Sequence, residues 1–355
     1  VLVIKRCAGS LATALLVVLA ACGTATQGPS ATPASSGTPP ARPVMITDCA
    51  GHQSTFNVPP QRVLTMDAQM LELAFWLGVQ DRVVGTDSPP KAGTFPAQFD
   101  AAVQRVRRLG AEYQPGGSYK PISKEVLLGV NPDFVMYSYK TELEGEGIAS
   151  QGDLDNTGIK SYLAFSVLGC ETAQAPTGLD LVYRDLENLG KIFRVEDRAG
   201  ALIQRLQSQV TDVQAKLVGA ERPGVYSFEF DEGTEAPFAA GNRQNTNVVI
   251  SLAGGRNVFG DVDKDYINVS WEEIVKRKPD VIMILIYDKG NPAKNAADFD
   301  KAKQFLRGFG PIQGLKAVQD QRFAEMLYSR VASGGVRNAE GVVELARQLH
   351  PDRVQ

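Results

Sequence analysis

The chain has 355 residues, 43% of them apolar and 22% charged, with a formal net charge of −3. This length predicts two lobes or domains rather than one core, and the charge balance excludes a broad basic surface for nucleic acid. His52 and His350 are the only histidines, too few for a multi-histidine metal site and an obstacle to a Ser-His-Asp triad.

Residues 1–21 read as a targeting segment and stay outside fold reasoning. Lys5 and Arg6 precede an apolar run at 11–19, too short to span a bilayer stably, and Leu19-Ala20-Ala21-Cys22 follows. The order is similar to a bacterial lipoprotein signal, whose cysteine is lipidated and becomes the new N-terminus; an ordinary secretory signal containing a cysteine is the alternative. Residues 22–44 then form a disordered tether. From 23 to 43 all but Gln27 and Arg42 are Gly, Ala, Ser, Thr or Pro, a composition that builds no core and reaches about 25 Å as a flexible coil. The expected location is extracytoplasmic, lipid-anchored at Cys22 to the outer face of the cytoplasmic membrane. Of the cysteines left, Cys49 and Cys170 read as a disulfide in an exported chain, with two unrelated buried thiols as the other reading.

From Val44 onward short β-rich runs alternate with helical stretches, which predicts α/β layering. Strands are expected at 62–66, 83–86 and 133–137, with a further one at 106–109, and a helix at 69–77 closed by Gly78. A Gly/Tyr/Pro loop occupies 111–121. In the second half strands are expected at 224–230, 281–287 and 322–328, and helices at 245–253 and 339–350, with 266–269 as a loop.

One sentence is written twice. Residues 122–136 read ISKEVLLGVNPDFVM and 269–283 read VSWEEIVKRKPDVIM. Ser123 and Ser270 are helix N-cap candidates with Glu125 and Glu272 in the first turn, where the helix dipole favours negative charge. Glu273 completes a capping box with Ser270. The helix must stop before Pro132 or Pro279, and the apolar run after Asp133 or Asp280 reads as a buried parallel strand. Between the copies, residues 195–219 place Leu202, Leu206, Val210, Val213 and Leu217 on one helical face without a proline. A rod of about 37 Å would result. The domains expected are an N-terminal lobe (45–194), an interlobe helix (195–220) and a C-terminal lobe (221–355).

Two α/β lobes, one long helix and a lipoprotein signal together resemble the substrate-binding proteins of bacterial ABC importers for iron–siderophore complexes and cobalamin. The matching stretches are PPQRVLTMDAQMLELAFWLGVQDRVVGTD (59–87), PFAAGNRQNTNVVISLAGGRNVF (237–259) and the two copies of the repeated motif. The resemblance implies lobes with central parallel-rich sheets, a ligand cleft between them, and no catalysis. It implies that Glu125 and Glu272 dock on arginines of a dimeric permease that works with an ATPase, so that a two-fold membrane partner meets the same contact twice. The receptor itself is expected to be a monomer with no nucleic-acid partner.

Ligands of α/β sheets sit beyond the carboxyl ends of the strands. Candidates there are Asp67, Tyr113, Tyr119 and Tyr139 in the first lobe, and Phe230, Arg243, Tyr266, Tyr287, Arg330 and Arg337 in the second. The resemblance adds that Tyr266 stands where a cobalamin-binding member carries a tryptophan against its ligand, and that Gly335-Val336-Arg337 resembles the Gly-x-Arg segment of many iron–siderophore binders. Rings and arginines suit a bulky cargo whose ferric iron is already wrapped by its own chelator, with no metal ligand from the protein and no cofactor beyond the lipid. Glu229, Asp231 and Asp288 make the second rim negative, which favours a neutral or cationic ferric hydroxamate over an anionic catecholate. A corrinoid or a deazaflavin-cofactor precursor is the alternative cargo; a lipid-anchored scaffold or adhesin on the same fold is the alternative of another class.

Overall fold

The computed structural model describes residues 42–88, 90–110, 121–144, 146–167, 170 and 174–355. Cys22 and the tether as far as Ala41, and the loop holding Tyr113 and Tyr119, lie outside the described residues. The first described element is an antiparallel hairpin of β1 (Val44–Thr47) and β2 (Gln53–Phe56), which sequence patterning did not single out. Cys49 in its turn is bonded to Cys170, their Cα atoms 5.5 Å apart.

The first sheet contains β3 (Val63–Thr65), β4 (Val83–Thr86), β5 (Phe134–Tyr137) and β6 (Lys160–Leu163), all parallel, in the spatial order β4-β3-β5-β6. The strand expected at 106–109 is reduced to a single bridge between Arg108 and Thr86. The second half supplies β7 (Gly224–Glu229), β8 (Phe238–Ala240), β9 (Arg256–Asn257), β10 (Tyr266–Asn268), β11 (Val281–Ile286) and β12 (Phe323–Leu327). Strands β12-β11-β7-β9 form a second parallel sheet, while β8 and β10 pair antiparallel beside it. Numbered within each lobe, both parallel sheets run second-first-third-fourth. The two lobes therefore share one topology.

The repeated motif does the same work in each lobe. Ser123 Oγ accepts from the Val126 N–H of helix Lys124–Gly129, and Ser270 Oγ from the Glu273 N–H of helix Trp271–Arg277. Glu273 then turns its carboxylate to Arg277, 3.5 Å away. Asn131 and Lys278, both at φ 49, end these helices before Pro132 and Pro279. The next residue pins the lobe's first strand: Asp133 accepts from the N–H groups of Gln61 and Arg62 (2.8 and 2.9 Å), and Asp280 from Gly224 (2.6 Å). Strands β5 and β11 are buried throughout, as a parallel sheet covered on both faces requires.

Helix Asp180–Phe193 ends at Arg194, in the left-handed region at φ 59, and after Val195 the chain enters helix Glu196–Lys216. Its 21 residues span about 31 Å, shorter than the rod expected, because Leu217 caps it and Gly219 turns at φ 72. Leu202, Leu206, Val210 and Val213 are buried in an apolar core that includes Met70 and Phe134 of the first lobe and Val225 and Leu345 of the second. Residues Ala41–Gln355 thus form one compact unit. Helix Pro292–Gly308, absent from the sequence expectation, buries only Phe299, Ala302 and Leu306. Among the described residues no helix is long and apolar enough to cross a membrane.

Candidate functional site

Strand order reverses between β3 and β5 in one sheet and between β7 and β11 in the other. These are the switch points where α/β sheets hold ligands. In the first lobe, Asp67 follows β3 and caps helix Ala68–Trp76 by accepting from the Met70 N–H at 2.8 Å. Burial pushes its carboxyl up to about 6, the helix-capping amides opposing. Glu142 is also buried; its Oε2 accepts from the N–H groups of Ser138 and Tyr139 (2.9 and 3.1 Å), and burial followed by the nearby Asp67 charge holds its carboxyl well above the ordinary range. Tyr139 follows β5, with Gln69 Nε2 3.4 Å from its hydroxyl. Burial first, then Asp67 and Tyr328, push the Tyr139 phenol well up. Tyr328 belongs to the other lobe, so the Tyr139 phenol lies near enough to sense a group of that lobe.

The second lobe answers with rings. Tyr287 follows β11 and Tyr328 follows β12, their centroids 4.8 Å apart. Tyr266 on β10 places its hydroxyl 2.6 Å from that of Tyr328 and accepts from Gln244 Nε2 at 2.7 Å. Tyr287 is 40% exposed and donates to Glu232 Oε1 at 2.8 Å. Phe230, in the turn after β7, lies against Phe228 with centroids 6.1 Å apart. Burial, with Glu232 adding to it, pushes the Glu229 carboxyl up to about 7.

The structure thus brings Asp67, Tyr139, Tyr266 and Tyr287 to the two switch points, with Phe230 at their edge. The three arginines are engaged elsewhere. Arg243 forms a fork with Asp263 (2.8 and 3.0 Å). Arg330 pairs with Glu340 and lies 4.0 Å from Glu344, both on the last helix. Arg337 opens that helix and crosses to the first lobe, where Nε meets Glu72 at 2.8 Å and a terminal nitrogen meets the Thr94 carbonyl at 2.7 Å. Tyr328, which the sequence places at the end of an expected strand beside Arg330, joins the other tyrosines. Gln244 and Glu72 are site residues that the sequence reading did not select. Glu72 had no signal, because nothing local marks a partner 265 residues away.

Two further contacts close the lobes on each other. Asn245 Nδ2 donates to the Ser166 carbonyl at 3.0 Å, and Gly93 packs on Gly290 so closely that a Cβ on either would strike the facing backbone carbonyl. Both glycines also sit at positive φ (78 and 69), so no other residue fits there easily. The negative rim expected on the second lobe is compensated in part, at Asp231 and Glu229 but not at Asp288, whose partners are neutral N–H donors. Asp231 pairs with Lys289 at 3.1 Å, Asp288 accepts from Gly290 and Asn295 (both 2.9 Å), and Glu229 holds its proton up to about pH 7.

Among the described residues no group of three or more His, Cys, Asp or Glu is placed to hold a metal ion. Residues 63–326 match the profile of the periplasmic binding protein family. The chain belongs to that family. An uncharacterized ABC transporter substrate-binding lipoprotein of Bacillus subtilis, YvrC, is 25% identical over 312 residues, covering 87% of this chain and 86% of its own. A cobalamin-binding protein of Halobacterium salinarum is 24% identical over 284 residues, 78% and 69% of the two chains. The solved structure of an ABC-type Fe3+-hydroxamate transport system from Saccharomonospora viridis superposes with a TM-score of 0.69 at 24% identity, over 86% of this chain and 99% of that one. The chain is therefore an extracytoplasmic substrate-binding receptor of an ABC importer, a transport component and not an enzyme.

Proposed function

We propose that the receptor captures a metal already enclosed in an organic chelator, a ferric siderophore of hydroxamate type as the first candidate, and hands it to a permease dimer served by an ATPase. The observation that supports this is the convergence of Tyr139, Tyr266, Tyr287 and Tyr328 on facing switch points. Phenol rings offer flat apolar faces and hydroxyl donors to a large guest without competing for its metal. The second reading, a corrinoid, is favoured by Tyr266 at the cleft and by a relative named for cobalamin binding.

Cys22 is proposed to carry the lipid anchor, and Glu125 and Glu272 to meet the permease. Both glutamates are exposed in the first turn of a Ser-capped helix. Each is held below the usual carboxylate range first by its own backbone N–H, then by the Ser123 or Ser270 hydroxyl. Each lobe therefore offers a fixed anion at an equivalent position.

Trp76 and Trp271 allow a direct test, because coloured iron chelates and corrinoids quench indole emission. Saturable quenching of the full chain by ferrioxamine, by cyanocobalamin or by haemin is expected, weakened more than about tenfold in a Tyr266→Ala/Tyr287→Ala variant, the loss of two stacked rings. Equal quenching by wild type and variant would remove the tyrosine cleft from the mechanism. No quenching by any of the three would favour a scaffold role.

A further inference from the structure

Beside the tyrosine cluster lies a groove of about 470 Å³, lined by Lys91, Lys289, Lys294, Ala297, Asp298 and Lys301. Lys91 belongs to the first lobe and the other three lysines to the second, so both lobes build the wall. The groove borders the place where Gly93 meets Gly290, and Lys289 stands two residues past Tyr287. Its charge does not balance. Asp298 serves both Lys301 (2.8 Å) and Lys289 (3.6 Å), and Asp231 serves Lys289 again (3.1 Å). Lys91 and Lys294 have no carboxylate partner among the described residues.

The local backbone adds to that excess. Helix Pro292–Gly308 starts at the groove and carries no acid in its first turn, where the positive end of the helix dipole would favour one. Lys294 occupies that turn instead. A cation there opposes the dipole, and its cost is offset when an anion sits against both. Two lysines without a carboxylate partner among the described residues and two more sharing two carboxylates line one open volume, beside a helix start whose amides are capped only by the neutral Asn291 side chain.

We propose that this groove is an anion subsite, fitted to a phosphate or a pair of carboxylates, which draws Lys91 of one lobe toward Lys294 of the other. Resting on the receptor reading above, the anion is a substituent of the same molecule whose body lies on the tyrosines. The subsite makes cargo with a doubly negative arm the preferred class and gives its binding a steep dependence on salt.

Pyrophosphate is the probe for the groove itself, titrated into the full chain by calorimetry at low ionic strength. Saturable binding is expected, weakened about tenfold in Lys91→Gln/Lys294→Gln by the loss of two unpaired cations and weakened likewise in wild type by added salt. The substitutions lie on exposed side chains, and an unchanged melting temperature verifies the fold. Absence of saturable binding, or equal binding by wild type and double variant, overturns the subsite.

The source of the anion is read by competition. Saturating pyrophosphate is expected to displace haemin, the one of the three with a pair of carboxylates, and quenching only by a guest without such an arm would remove the clause tying the groove to the cargo. If haemin stays bound, the groove holds a separate free anion and the clause tying it to the cargo falls. If none of the three quenches, the receptor reading and that clause fall together, while pyrophosphate binding still decides the groove.

Discussion

The two lobes share a strand order and a motif, yet they present different chemistry to the cleft. The first brings acids under the floor: Asp67 and Glu142 are buried, both carboxyls held above their ordinary range. The second brings rings and lysines: Tyr266, Tyr287 and Tyr328 at its strand ends, with three of the four groove lysines beyond them. What is common lies in the strands and in the residues that set them, Ser123 with Asp133 and Ser270 with Asp280. What differs lies just past the strand ends, where side chains are free of the sheet's packing. A duplicated frame can thus keep its geometry while its two faces diverge to grip opposite sides of one guest.

The sharpest way to break the comparison is to separate the halves. Arg337→Ala leaves Glu72 buried without its cation and is expected to cost about 4 kcal/mol in urea denaturation. Adding Glu72→Leu should recover most of that loss. Equal stability of Arg337→Ala and wild type would mean that the interlobe pair holds nothing.

Protonation distinguishes the two floors next. The folded Glu229 carboxyl keeps its proton up to about pH 7, whereas an ordinary one releases it near 4.5. The native state binds the extra proton within that window, so stability is full below pH 4.5 and falls as pH rises through 7. Glu229→Gln should be more stable than wild type by about 3 kcal/mol at pH 8 and alike at pH 4. Asp67→Asn should show the same sign with a smaller swing, since Asp67 rises only to about 6. Chemical denaturation across pH checks both, and a variant difference that does not change with pH would refute the assignment.

Smaller effects refine the picture. Tyr266→Phe removes one partner of the 2.6 Å hydroxyl pair with Tyr328 and should cost about 1 kcal/mol, with Tyr328→Phe matching it. Glu125→Ala and Glu272→Ala should each shift stability by less than about 0.5 kcal/mol and by equal amounts. An unequal pair would show that the lobes are less alike at that surface than their backbones are.

The frame was legible because its signals are local. Apolar runs gave β5, β7, β11 and β12 nearly to the residue, and the Ser cap and Pro stop gave the motif helices. The hairpin Val44–Phe56 escaped because its alternation is short, with polar residues at Thr47, Gln53 and Thr55. Helix Pro292–Gly308 escaped because only three of its side chains are buried. In the cleft, tyrosines at strand ends could be read from position alone. The arginines could not, since a guanidinium reaches several ångströms to whichever carboxylate the fold brings near, and Asp263, Glu340 and Glu72 claimed them. The negative rim misled for the same reason: Lys289, not visible as a partner in the sequence, cancels Asp231.

The core packed beneath helix Glu196–Lys216 runs from Met70 to Leu345 without a seam. Melting either half would strip that helix of its packing in the other, so heat has no route to dismantle them one at a time. Calorimetry should therefore register a single transition, its measured enthalpy equal to the van't Hoff value, as for one cooperative unit despite the doubled architecture.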